Sequence, residues 1–167
     1  MKLQLLCEDI NLDRIASRVA KSSVEKAGWS KNGREFTGNR TSVSVSKNDF
    51  SGIQWHTHPV AGVPTPIGAL PSIEDLQSAV YFMIRTGHDR FNPKGQTVIN
   101  DPSGDVEMFA IIHGPYVFEY IPGPEVDLSY ISKYTGAIEE GDWKKALNVL
   151  KDMGFGQFKH NFEKSNY

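Results

Sequence analysis

A single cysteine, Cys7, in 167 residues leaves no partner for an intrachain disulfide and cannot build any of the multi-cysteine zinc sites. Any metal bound here must rest on histidine and carboxylate. Charge of one sign is also scarce: 18 Lys and Arg stand against 20 Asp and Glu, a net charge of −2, so no broad positive field awaits a nucleic-acid backbone. Nucleic acid is therefore a disfavoured partner. Long apolar runs are missing too, because the residues Met1–Cys7 meet Glu8 and Asp9 before a signal-peptide core or membrane span can form. A soluble, intracellular, cytoplasmic protein with no membrane partner is expected. No internal repeat, low-complexity tract or linker breaks the chain. One domain over residues 1–167 follows, with a core about 10–122 and C-terminal helices about 126–153.

The patterning predicts an α/β (α+β) arrangement, a mixed sheet flanked by helices. Asn11 can cap a helix whose apolar residues Leu12, Ile15, Ala16, Val19 and Ala27 keep helical spacing, with Gly28 as its stop. Arg34–Thr37 and Thr41–Ser46 look like strands joined at Gly38-Asn39, and Ser51–Thr57 reads as a third. Alternation sets Ile53 and Trp55 on one face of that strand and Gln54, His56 and His58 on the other. Pro59 to Pro71 holds four prolines and two glycines and is expected to be a loop. Ser72 then opens a helix with the apolar stripe Ile73, Leu76, Ala79, Val80, Met83 and Ile84, running to Gly87. Thr97–Asn100, Val106–His113 and Tyr116–Ile121 read as strands, the first two separated by a turn at 101–104. Helices about Val126–Ile138 and Asp142–Met153 complete the list, and the tail carries no readable pattern.

Chemistry gathers at His56-Thr57-His58-Pro59. Two histidines two apart on a strand project the same way and can share one ion, and Pro59 places them at the strand's exit. A catalytic zinc commonly takes three protein ligands and a water, with a carboxylate as a usual third. Asp75, in the first turn of the next helix, is the best candidate. A plainer account stands beside this one. Ser72-Ile-Glu-Asp75 also fits the reciprocal cap of Ser/Thr followed three residues later by an acid, which requires no function.

His56-Thr-His58-Pro59 followed by Pro71-Ser72-Ile-Glu-Asp75 resembles the signature of the JAMM (MPN-plus, JAB) metalloproteases, His-x-His-Pro, a spacer, then Ser-x-x-Asp. RadC-type bacterial proteins carry a similar signature. The resemblance covers Glu35 to about Gly87 and implies a JAMM/cytidine-deaminase-like core. It implies one zinc ion held by His56, His58 and Asp75 with a bound water, and a Ser72 hydroxyl that helps stabilise the oxyanion. It also implies an upstream glutamate as general base. Glu35 is the choice, since Glu35-Phe-Thr-Gly38 keeps a Glu-x-x-Gly spacing found in many members, whereas Glu8 lies before the first expected helix and Glu25 within it. The chain departs from the family in a longer spacer, 17 positions from His58 to Asp75, and in a short interval between Glu35 and His56. Added loop length of this kind costs little.

The expected function is a zinc-dependent hydrolase, a metallopeptidase acting on peptide or isopeptide bonds of a peptide or protein-conjugate substrate. Two alternatives stand: a non-catalytic JAMM-like module serving assembly or regulation, and a RadC-like role in DNA transactions, which the near-zero charge does not favour. Oligomeric state is not readable. His88 after Gly87 suits a helix C-terminus, and neither His113 nor His160 is chosen as a ligand. Trp29, Trp55 and Trp143 read as packing anchors, and Cys7 as a small buried hydrophobe.

Overall fold

The structure is a computed structural model and describes residues 12–30, 35–40, 43, 51–85, 105–123 and 125–163. Several expectations lie outside those residues: the Asn11 cap, Cys7, nearly all of the strand 41–46, Gly87 with His88, the strand 97–100 and the turn 101–104. Within them, helix α1 (residues 12–19) precedes strands β1 (Lys26–Trp29), β2 (Glu35–Thr37) and β3 (Ser51–Thr57). A short 3-10 turn (Pro66–Ala69) leads to helix α2 (Ile73–Arg85). Strands β4 (Asp105–His113) and β5 (Tyr116–Pro122), a second 3-10 turn (Leu128–Tyr130), helices α3 (Ile131–Glu139) and α4 (Trp143–Met153) and strand β6 (Phe155–His160) follow. The six strands form one mixed sheet in the order β2-β1-β3-β4-β5-β6. Among the described strands β3 and β4 run parallel and the other neighbouring pairs antiparallel. A parallel pair needs a crossover, and α2 lies in it, so the exit of β3 and the start of α2 are brought to the same end of the sheet.

Period-two alternation sorts the strands' side chains between two unequal layers. Ile53 and Trp55 of β3, with Ala110 and Ile112 of β4, face Leu12 and Val19 of α1. The other face carries Phe109 and Ile111 of β4 and Phe118 and Tyr120 of β5. Against it pack Leu76, Ala79 and Val80 of α2, Tyr134 and Ala137 of α3, and Ala146, Leu150 and Met153 of α4. The C-terminal helices therefore complete the same core as α2. Each large side chain taken fully out of water contributes about 1.5–3 kcal/mol, so this second layer is the main stabilising mass.

Three expected boundaries shift. The first helix does not run on to Gly28: after residue 19 the chain turns, Ser22 Oγ donates to the Val24 carbonyl (2.8 Å), and Ala27-Gly28 lie inside β1. β1 sits between two partners, and its ladders to both β2 and β3 outweigh the local helical spacing that Ala27 happened to keep. The helix expected from Val126 begins at Ile131, preceded by the 3-10 turn that Asp127 caps through Ser129 N–H (3.0 Å). The tail forms an edge strand, β6, which pairs with β5. Gly154, at φ 117°, makes this possible: it ends α4 in the left-handed region and packs so tightly on the Glu125 backbone that no side chain fits.

Candidate metal centre

His56 and His58 leave β3 on the face covered by α2, as the alternation of Ser51–Thr57 requires, and Asp75 comes to meet them from the first turn of α2. His56 Nε2 lies 3.1 Å from Asp75 Oδ1, His58 Nε2 lies 2.9 Å from Asp75 Oδ2, and the two Nε2 atoms are 3.2 Å apart. A tetrahedral ion with bonds of about 2.0–2.1 Å sets its ligand atoms about 3.3 Å apart. The triad already has nearly that spacing. The side chains of His56, His58 and Asp75 are 12%, 21% and 18% exposed, so the cluster is sheltered yet within reach of solvent.

The donor set favours a cation for a further reason. His58 Nδ1–H donates to the Gly68 carbonyl (2.8 Å), which leaves the lone pair of the neutral ring on Nε2, directed at a carboxylate and a second imidazole nitrogen. Three electron-rich atoms about 3 Å apart repel one another unless a cation shares them. These three residues can hold a metal ion.

Asp75 serves the helix as well. Its Oδ2 accepts from Ser72 N–H (2.9 Å), and Ser72 Oγ accepts from Asp75 N–H (3.1 Å), the reciprocal cap expected from Ser72-Ile-Glu-Asp75. The plain account and the functional one describe a single geometry, because the cap fixes the carboxylate that faces the histidines. Tyr134 of α3 adds a brace by donating to the Pro71 carbonyl (2.6 Å) just before the cap. The Pro-rich segment is seated on the β4–β5 turn: a methyl group on Gly114 would come within 2.9 Å of Pro64 Cβ.

Glu35 does not join this cluster. β2 pairs Glu35 with Gly28, and β1 pairs Gly28 with Trp55, so Glu35 projects from the Trp55 face of the sheet, opposite the histidines. There it is bound by both guanidinium nitrogens of Arg18 from α1, one at 2.9 Å. Glu25 occupies the other face. The β1–β3 ladder sets Ala27 against His56, and Glu25 lies two residues before Ala27, just ahead of β1. The charges of His56, His58 and Asp75 all act on its carboxylate. The helical reading of 12–27 hid this residue; once β1 is recognised as a strand, the alternation Glu25, Ala27, Trp29 is enough to find it.

Burial raises the Glu25 carboxyl above the ordinary carboxylate range, against the opposing pull of His56 and His58. Burial also opposes charge at the triad, but there the partners prevail. His58 is raised by its bond to Asp75, by the charge of Asp75 and by the Gly68 carbonyl, while the two imidazoles hold Asp75 well below its usual range. In the metal-free protein these partners favour the protonated form of His58. His58 then contributes stability below the ordinary imidazole value of about 6.5, and that contribution is lost as the pH climbs through its raised value. Asp75 contributes above about 3.9 and loses its contribution on acidification. A metal must displace the His58 proton, so its stabilising effect should grow with pH. The rise in melting temperature on adding zinc to chelator-treated protein is expected to be larger at about pH 8 than at about pH 6. An equal rise at both would disconnect the metal from His58.

Comparison with protein-family models, with curated proteins and with solved structures found no match. Among the described residues, no helix is long and apolar enough to cross a membrane.

Proposed function

We propose that this chain is a zinc-dependent hydrolase of peptide or isopeptide bonds, similar to the JAMM metalloproteases, with a peptide or protein conjugate as substrate. The observation that carries the reading is the convergence of His56, His58 and Asp75 at near-tetrahedral spacing beside Ser72. The histidine and carboxylate donors suit zinc. When held there, zinc supplies a Lewis acid and lowers the pKa of its water to about 7. The chain's own residues supply the rest. Glu25, half-buried with its affinity for protons raised, is suited to take a proton and return it to the leaving amine. Ser72 Oγ already accepts the Asp75 N–H, so its hydroxyl proton is free to turn toward the substrate carbonyl oxygen as negative charge gathers there. The Gly68 carbonyl keeps the His58 lone pair on Nε2.

Zinc-loaded protein should cleave a quenched fluorescent peptide or an isopeptide-linked conjugate. A chelator should stop cleavage and added zinc should restore it. Bound zinc with no turnover across both substrate classes would favour a metal-stabilised binding module instead.

A further inference from the structure

Behind the triad lies a buried ionisable side chain that is not one of its members: His113, at the end of β4, only 9% exposed. Its Nδ1–H donates to the His58 carbonyl (2.8 Å). Nε2, Cδ2 and Cε1 of the same ring lie against Gly68, so closely that a methyl group on that residue would overlap all three. Gly68 in turn accepts from His58 Nδ1 through its carbonyl (2.8 Å). The contacts close into a circuit that runs from the His58 backbone to the His113 ring, on to Gly68, and back to the His58 imidazole.

We infer that His113 is a positioning residue for the metal centre, gripping His58 at its backbone and setting the depth at which the Gly68 carbonyl meets its side chain. The inference rests on the metal reading above. Gly68 belongs to a 3-10 turn held by two backbone bonds, Gly68 N–H to Thr65 O (3.0 Å) and Leu70 N–H to Ile67 O (3.1 Å). The turn therefore moves as one piece, and the flat face of His113 is the surface on which it stops. If the ring is lost, the turn settles into the space, and the carbonyl that selects the Nδ1–H tautomer of His58 moves with it. A ligand histidine whose outer nitrogen lacks a fixed acceptor binds metal more weakly, typically by about 10–100-fold. His113 itself ligates nothing.

Zinc dissociation constants of the full chain, measured by competition with a chromophoric chelator, test this directly. His113→Leu keeps bulk without the donor and is expected to weaken zinc by about 10–100-fold. In His113→Asn the amide can still donate to the His58 carbonyl but no ring stops the turn, so affinity should recover only in part and stay about tenfold below wild type. Gly68→Ala leaves His113 in place but lifts the turn, and should also cost about tenfold or more. Nitrogen-15 shifts of the neutral His58 ring, read in metal-free protein at a pH above its raised value, give a readout independent of zinc: Nδ1–H should dominate in wild type and give way to a tautomer mixture in His113→Leu. Wild-type affinity in a folded His113→Leu overturns the inference; should that variant not fold, wild-type affinity in Gly68→Ala does the same. A wild-type protein that binds no zinc defeats the metal reading itself, a result distinct from variants that match a zinc-binding wild type.

Discussion

Asp75→Asn is expected to bind zinc at least about 100-fold more weakly than wild type, beyond the usual cost of losing a group that merely orients a ligand. The substitution separates the two duties of Asp75. An asparagine oxygen can still accept from Ser72 N–H, so the start of α2 should survive. What is lost is the negative charge that faces His56 and His58 at 3.1 and 2.9 Å and offsets the charge of a divalent ion. His58→Ala should show a comparable loss by removing a ligand outright. Metal analysis of proteins purified without chelators, with circular dichroism to confirm folding, reads both. Stoichiometric zinc in wild type and its near-absence from folded Asp75→Asn is the expected pair of results. Equal zinc in the two would place the metal elsewhere.

Glu25→Gln should keep its zinc and lose about 10²–10⁴-fold in turnover, the range that positioned proton transfer supplies. Glu35→Gln should turn over at nearly the wild-type rate. The contrast follows from sheet register. Glu25, just ahead of β1, feels the charges of His56, His58 and Asp75, whereas Glu35, two ladder steps across from Trp55, is held by Arg18 on the other face. The Glu35 variant loses only a surface ion pair, worth about 0–1 kcal/mol. Initial rates on one amide substrate, with zinc content measured on the same preparations, discriminate the two. An inactive Glu35→Gln beside an active Glu25→Gln would overturn the assignment of the base.

How far the sequence could be read depended on whether a feature is local. The His56/His58 pair was legible because a strand's alternation needs only the residues of that strand, and the β3 assignment Ser51–Thr57 matches the structure. The Ser72–Asp75 cap was legible because it closes within three residues. Helix α4 was legible through Asp142, whose carboxylate accepts from Lys145 N–H (3.0 Å). Glu25 was misplaced because Ala27 extends a helical spacing by chance, and no local signal outweighed it. β6 was missed because an edge strand buried on one side alone carries a weak pattern, and its pairing with β5 is a long-range fact.

The amino-acid sequence by itself determined the ligand inventory. With one cysteine and no pool of thiolates, a metal had to rest on histidine and carboxylate, and His56, His58 and Asp75 were the set whose elements end beside one another. Tertiary structure decided which glutamate faces that set, and that His113 and Gly68 stand behind His58. Alternation says that two residues share a face, but only pairing between strands says which face of a neighbour it adjoins. Strand register is settled by contacts across the whole sheet, and no window of sequence contains them.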